Sequence, residues 1–176
     1  MGVGLFAFLL SLFAVVPWDQ QGSGPQAPVM QAGAVAAAMA DIELEAVSQC
    51  GQPGACPAGP VTVTLASVEY AALSPAIYQQ GIELVTDGQG DVLAWWKGGA
   101  VYGDLSNAAL VSGFTEQPAE GELDNFPNVM MAGAWTGSGV TDAVGQNALT
   151  LPPSLAAIAE EYAPPSGAPS ILFAPP

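Results

Sequence analysis

The chain has 176 residues, of which 51% are hydrophobic and only 10% are charged. Lys97 is its single basic residue, histidine is absent, and the formal net charge is −15. Nucleic-acid binding and recognition of anionic lipids depend on clustered basic side chains, so this composition excludes both. Catalysis that relies on histidine or arginine is excluded in the same way. We therefore expect no nucleic-acid partner and no enzymatic activity.

An apolar run opens the chain, MGVGLFAFLLSLFAVVPW, in which Ser11 is the only polar side chain over residues 3–16. As a helix this run would span roughly 25 Å, slightly less than the ~30 Å hydrocarbon core of a bilayer. Trp18 falls where an interfacial aromatic residue belongs. We interpret residues 1–18 as a transmembrane or signal-anchor segment. A cleaved signal peptide and a helix buried in a large particle such as a virion are the alternatives.

A predicted linker and then a predicted helix follow this apolar run. Residues 19–28 are rich in Gly, Pro and Gln and predict a short linker. Apolar side chains then recur at helical spacing, which predicts an amphipathic helix over roughly residues 29–48 and an exported domain over residues 29–176. Packing on a sheet is the simpler role for this helix, and contact with a partner helix is the alternative. The apolar stripe consists of Val35, Met39, Ile42 and Ala46.

Two cysteines lie close together in CGQPGAC, residues 50–56. A loop of this length can bring Cys50 and Cys56 within bridging distance, and its closure is worth about 2 kcal/mol in the loop-entropy model. A disulfide implies an oxidising compartment. Free buried thiols are the alternative, whereas two cysteines without histidine do not complete a zinc site. We expect a disulfide and neither a metal nor a cofactor.

The remaining pattern predicts short strands and short helices. The strongest signal is a hairpin, IELVT and DVLAWW joined by DGQG. NAALVS predicts a short helix with Asp104 or Ser106 as its N-cap, and PPSLAAIAEEY predicts another with proline at its start. Further strands are predicted at VTVTL (61–65), on either side of a Gly-Ser turn after residue 128, and at SILFAPP. The predicted fold class is α+β: an N-terminal apolar helix, an amphipathic helix, then a small, mostly antiparallel sheet with short helices.

Acidic residues concentrate in a loop at residues 116–125 and in DGQGD, residues 87–91. A solvated surface loop explains the first, and a calcium site is the alternative. The spacing in the second does not match an EF-hand loop, and a hairpin turn explains its glycines. Neither group predicts a catalytic carboxylate pair.

Trp95 and Trp96 are adjacent in a predicted strand, so their side chains point to opposite faces and cannot both enter one core. One is expected to pack inward, and the other to cover the long helix or to meet a partner. Packing of both in the protein interior is the alternative. The residues predicted for a possible protein interface are Trp95, Trp96, Val35 and Met39.

Four segments carry a resemblance to a known family. They are AALSPAIYQQGIEL (71–84), GQGDVLAWW (88–96), NAALVSG (107–113) and NALTLPPSLAAI (147–158). In their order the chain resembles the PilM-type accessory proteins of the thin pili of conjugative plasmids, a type IVB system. The resemblance implies an inner-membrane-anchored component of pilin transport or of a pilus basal body. The CGQPGAC loop, the acidic loop and the near absence of basic residues depart from this pattern.

Together these features predict a non-catalytic, membrane-anchored component of a type IV pilus or secretion assembly that acts through protein contacts. Its expected partners are other assembly subunits, homo-oligomers are compatible with this role, and the expected location is the inner membrane with the C-terminal domain in the periplasm. A structural protein of a virus or phage is one alternative, and a pilin-like filament subunit is another. The pilin alternative is disfavoured because the apolar run holds no glutamate and Pro17 interrupts the helix that a pilin would need. A periplasmic enzyme or calcium-binding module is the third.

Overall fold

The computed structural model describes residues 27–63, 81–98, 105–115 and 130–175. Over these residues the chain forms three α-helices, a 3-10 helix and seven strands. The helices are α1 (Ala27–Cys50), α2 (Asn107–Ser112), a 3-10 helix (Gly113–Thr115) and α3 (Pro153–Tyr162). The strands are β1 (Gly59–Pro60), β2 (Ile82–Thr86), β3 (Val92–Trp96), β4 (Met130–Trp135), β5 (Gly139–Asp142), β6 (Ala148–Thr150) and β7 (Pro169–Phe173).

The strands form a seven-stranded sheet in the order β1-β2-β3-β7-β4-β5-β6. Every pair of neighbouring strands is antiparallel. The C-terminal strand β7 lies in the middle of the sheet, between β3 and β4, so the two halves of the chain join through it. The described chain is therefore α+β, as the sequence predicts. The predicted apolar helix at residues 1–18 lies outside the described residues.

The hairpin predicted from IELVT and DVLAWW is confirmed. Strands β2 and β3 pair in register from Ile82 opposite Trp96 to Thr86 opposite Val92. The predictions for the Gly-Ser turn and the last strand are also confirmed, as β4, β5 and β7. Each of these signals is local, which is why the sequence alone reveals it.

The prediction of a strand at residues 61–65 is wrong for the residues that the structure describes. Strand β1 covers only Gly59–Pro60, and residues 61–63 have no regular structure. Pro60 offers no backbone N–H to a ladder and is tolerated because β1 is an edge strand. One further bond, from Val61 N–H to the Leu84 carbonyl at 2.9 Å, follows before the pairing ends.

Helix α1 begins at Ala27 and ends at Cys50, slightly longer than predicted at both ends. Pro28 belongs to its first turn, where a missing N–H costs nothing, so the last residues of the predicted linker are helical. The helix packs on β2, β3 and β7 and against α2 and the 3-10 helix. Its predicted apolar stripe is buried throughout, as expected for a helix on a sheet: Val35, Met39, Ile42 and Ala46.

The sheet is covered on both faces, and each face has its own hydrophobic core. Alternate residues of one strand enter different cores: Leu84 faces α1, whereas Val85 faces α3. The core beneath α1 also holds Trp96, and the core beneath α3 also holds Trp95. The sequence prediction that these tryptophans point to opposite faces is confirmed, and both are buried because both faces are covered.

Helix α2 begins at the predicted N-cap: Ser106 Oγ accepts a hydrogen bond from Ala109 N–H at 3.2 Å. The 3-10 helix that follows it contacts the backbone of α1. A Cβ atom added to Gly113 would lie 2.6 Å from the Ala32 carbonyl oxygen and 3.1 Å from the Gly33 nitrogen. Glycine is therefore required at residue 113 for the two helices to approach this closely.

We expect Gly113→Ala to destabilise the protein by about 1–3 kcal/mol, because the added methyl group forces α1 and the 3-10 helix apart. Urea denaturation followed by circular dichroism measures this change. Asn107→Ala, at the exposed start of α2, serves as the control and should stay within about 0.5 kcal/mol of the wild type. Equal stabilities of the two variants would contradict the close approach.

Candidate functional site at the aspartate turn

The turn between β2 and β3, Asp87–Asp91, holds a buried, hydrogen-bonded group of polar side chains; we call it the aspartate turn. Asp87 and Asp91 are each only 7% exposed. Asp87 Oδ1 accepts hydrogen bonds from Gln89 N–H at 2.7 Å and from Asp91 N–H at 3.2 Å. Gly88 and Gly90 have φ values of 75° and 109°, which glycine adopts without strain. The sequence DGQGD therefore closes a compact turn around the Asp87 carboxylate.

The residue before the turn, Thr86, completes this network. Its Oγ1 donates to the Asp91 carbonyl oxygen at 2.7 Å and accepts from Gly88 N–H at 3.2 Å. Thr86 is fully buried, so these bonds satisfy a hydroxyl that would otherwise be costly to bury.

Helix α3 reaches the aspartate turn through its first turn. Ser154 Oγ donates a hydrogen bond to Asp87 Oδ2 at 2.5 Å across 67 residues of sequence. Ser154 is the second residue of α3, whose N-terminus lacks a side-chain cap. A carboxylate at this end of a helix is favoured by the helix dipole. Asp87 therefore fixes the start of α3 to the β2–β3 hairpin.

The two aspartates differ in their affinity for a proton. Burial, a hydrogen bond with Asp87 and the charge of Asp87 raise the pKa of Asp91 to about 7. Burial also acts to raise the pKa of Asp87, but hydrogen bonds from Ser154, Gln89 and Asp91 outweigh it and lower that pKa below its ordinary value. Between the lowered pKa of Asp87 and about pH 7, the pair therefore carries one proton, on Asp91, and one charge, on Asp87.

The loop Cys50–Cys56, which we call the disulfide loop, lies on this turn. The disulfide predicted from CGQPGAC is present, with the two Cα atoms 5.1 Å apart. Gly54 N–H donates to the Gly88 carbonyl oxygen at 2.8 Å. A Cβ atom at Gly90 would lie 3.2 Å from the Gly51 carbonyl oxygen, so the two backbones touch there as well. The aspartate turn thus joins three elements: the end of α1, the β2–β3 hairpin and the start of α3.

A protonated and an ionised carboxyl side by side is an arrangement that acid–base enzymes use. Here, however, the bonds of both groups are made within the protein. The Asp87 carboxylate is far too weak a base to ionise the Ser154 hydroxyl, and the disulfide loop covers the other side of the turn. The cluster is best understood as a structural junction.

Removing the Ser154 hydroxyl tests this junction. We expect Ser154→Ala to destabilise the protein by about 1–3 kcal/mol at pH 7, because Asp87 loses a charge-assisted bond. Since the pKa of Asp87 is depressed in the folded state, its contribution is present at neutral pH and is lost as the pH falls through that pKa, so the effect should shrink in acid. Urea denaturation at pH 7 and pH 3 measures this, with the exposed Ser166→Ala as control. An effect that is the same at both pH values would contradict the charge-assisted bond.

The residues predicted for a protein interface are all in the interior. Trp95 and Trp96 are 1% and 4% exposed, and Val35 and Met39 are 1% and 0% exposed. The structure brings Val35, Met39 and Trp96 together in the core beneath α1 and places Trp95 in the other core. None of these four side chains is therefore exposed in the folded domain, and the alternative interpretation, core packing, accounts for their positions.

The burial of Glu43 was not predicted from the sequence. Glu43, near the middle of α1, is fully buried, and neither of its carboxyl oxygens has a hydrogen-bond partner in the described part of the chain. Burial raises its pKa well above the ordinary value. A signal was present, because Glu43 follows Met39 by four residues and precedes Ala46 by three, which places it on the apolar stripe.

Residues 27–63, 81–98, 105–115 and 130–175 contain neither a metal-binding cluster nor a membrane-spanning helix. Within these ranges no three acidic, cysteine or histidine side chains form a group that could hold a metal ion. No helix there is long and apolar enough to cross a bilayer. The acidic loop at residues 116–125 and the apolar run at residues 1–18 lie outside them.

Comparisons of the chain with protein-family models, with curated proteins and with solved structures find no match.

Proposed function

We propose that this chain is a non-catalytic, membrane-anchored component of a type IV pilus or secretion assembly, with its C-terminal domain outside the cytoplasm. The Cys50–Cys56 disulfide is the observation that carries the location, because such bonds persist in oxidising compartments. The apolar run of residues 1–18 supports the anchor. It ends only a few residues before α1 begins at Ala27, so anchor and domain would lie close together.

The proposed mode of action is protein contact, with other assembly subunits or further copies of this chain as partners. The aspartate turn supports a non-catalytic role, since its carboxyl groups are buried and bound to groups of the same chain. With a single basic residue, the chain lacks the clustered positive charge on which nucleic-acid binding depends. The contact surface lies elsewhere than the tryptophan pair, because both indole rings pack inside the domain.

Fractionation of the full-length chain in a bacterial host with an oxidising periplasm tests the proposal. We expect the wild type in the inner-membrane fraction, with both cysteines protected from alkylation until a reductant is added. Deletion of residues 3–16 should remove the chain from that fraction, whereas substitution of the buried Glu43 by Gln should not. Assembly partners are then identified by crosslinking in membranes of the native host.

Two results would overturn the proposal. A cytoplasmic protein with freely alkylated cysteines would contradict export. Recovery of the chain as a major subunit of purified filaments or virus particles would replace the accessory role with a structural one.

A further inference from the structure

Glu43 is a carboxyl group in an apolar core. Its side chain is 0% exposed, and it lies one helical turn from Met39 and Ala46, both of which are also completely buried. Within the described chain, neither oxygen has a hydrogen-bond partner. Burying a carboxylate in such surroundings is far more costly than burying a neutral carboxylic acid. The surroundings of Glu43 therefore favour its neutral, protonated form.

Within residues 27–63, 81–98, 105–115 and 130–175, the helices and strands that pack against α1 offer no charge to compensate an ionised Glu43. They are β2, β3, β7, α2 and the 3-10 helix, and Glu83 of β2 is the only titratable or charged residue on them. Glu83 does not face α1, because its neighbours Ile82 and Leu84 do. It pairs instead with Lys97, the single basic side chain of the whole chain, at 3.6 Å on the surface. On α1 itself, Asp41 and Glu45 carry the same sign of charge as Glu43 and are partly exposed.

A second protonated carboxyl group, that of Asp91, lies near the C-terminal end of α1. The disulfide loop follows α1 directly and binds the aspartate turn through Gly54 N–H and the Gly88 carbonyl oxygen. In that turn Asp87 and Asp91 are both 7% exposed and close enough to share a proton. Among the described residues, two groups from other elements lie against this turn: the neutral Ser154 hydroxyl of α3, which donates to Asp87, and the backbone of the disulfide loop, which contacts Gly88 and Gly90. Two negative charges in this turn would repel each other beneath the loop.

We propose that the docking of α1 and its disulfide loop onto the sheet is proton-dependent: protonated Glu43 and protonated Asp91 hold them in place, and loss of these protons loosens both. Loss of either proton has the same effect, because both protons favour the docked state of α1. This proton dependence goes beyond the proposed function and does not depend on it.

The raised pKa values of Glu43 and Asp91 agree in direction with this geometry. Opening of α1 exposes Glu43, which then ionises near its ordinary value, and it removes part of the burial of Asp91, which then ionises at a lower pH than in the docked state. Both groups hold their protons to higher pH while α1 is docked. Over the pH range between its pKa in the open state and its pKa in the docked state, each group should therefore raise the opening constant of α1 by up to about tenfold per pH unit. For Asp91 that range ends at about 7, and above it Glu43 alone contributes.

Hydrogen–deuterium exchange of the full-length chain with its disulfide intact tests the proposal. Exchange of the α1 amides over residues 35–46 is followed from pH 4.5 to pH 8.5, at constant ionic strength, and corrected for the intrinsic rate at each pH. We expect protection of these amides to fall as the pH rises. Glu43→Gln should reduce the slope over the whole range, and Asp91→Asn only below about pH 7.

Glu45→Gln is the matched control, since Glu45 is on the same helix but partly exposed, and it should keep the wild-type slope. If Glu43→Gln does not fold, Glu43→Met removes the same titration without leaving a polar group in the core. The proposal is wrong if protection of the wild type is independent of pH. It is also wrong if the Glu43 variant (Glu43→Gln, or Glu43→Met in its place) and Asp91→Asn both retain the wild-type slope.

Discussion

Trp96→Ala is expected to destabilise the protein by about 3–5 kcal/mol, and Trp95→Ala by a similar amount. The two residues are neighbours in β3, but their side chains point to opposite faces of the sheet. Trp96 fills the core beneath α1 so closely that a methyl group on Gly81 would collide with its indole ring. Trp95 fills the core beneath α3 and is 1% exposed. Each substitution would leave a large cavity in a different core.

Urea denaturation of both variants, followed by circular dichroism, measures these losses. Val144→Ala is the control, because Val144 is 64% exposed and its truncation should change stability by less than about 0.5 kcal/mol. Where an alanine variant is too unstable to measure, the corresponding Trp→Phe substitution should show a smaller loss in the same direction. If a tryptophan instead anchored a partner, its substitution by alanine would weaken association with that partner and leave the stability of the free domain unchanged. That result, for either residue, would contradict the burial of both rings.

Much of the secondary structure follows from short-range patterns in the sequence. The DGQG turn between two alternating strands, the Ser106 cap and the proline start of α3 each depend on residues a few positions apart. Such signals act through local backbone geometry, which is largely independent of the rest of the fold. The disulfide is of the same kind, because its loop spans only the residues from Cys50 to Cys56.

The arrangement of these elements depends on contacts between distant residues. Nothing in SILFAPP indicates that β7 inserts between β3 and β4, and that insertion decides which surfaces are covered. An interface at one tryptophan was predicted because two adjacent strand residues cannot both enter a single core. With helices on both faces, alternation along β3 buries every residue from Val92 to Trp96.

The aspartate turn illustrates the same limit within a candidate site. Asp87 and Asp91 were identified from the sequence, and their hairpin turn was the correct interpretation. The partner Ser154 is 67 residues away, and the disulfide loop reaches the turn from the opposite direction. No spacing in the sequence predicts either contact. The burial of Glu43, in contrast, could have been predicted from the sequence, because helical spacing places its carboxyl group on the apolar stripe of α1.

Glu43→Met is expected to stabilise the protein, and increasingly so as the pH rises. In the folded state Glu43 keeps its proton above the ordinary glutamate pKa of 4.5, whereas the unfolded chain releases it there. The folded state then binds more protons than the unfolded state, so the wild type loses stability with rising pH, by about 1.4 kcal/mol per pH unit from this group. The loss continues until Glu43 ionises in the folded protein. The variant lacks this titration and should retain only the slope that other groups such as Asp91 produce.

Urea denaturation of both proteins at intervals of half a pH unit from pH 4.5 to pH 8 gives the two profiles. Their difference should be smallest at pH 4.5 and widen with pH, because at pH 4.5 about half of the unfolded wild-type chains still carry the Glu43 proton. Depression of the Asp87 pKa does not confuse the comparison, since its contribution is lost only at pH values below this range. Glu45→Met, on the exposed side of α1, should run parallel to the wild type. If Glu43→Met also ran parallel to it, the carboxyl group would have a compensating partner, and the proton would have no part in holding α1 on the sheet.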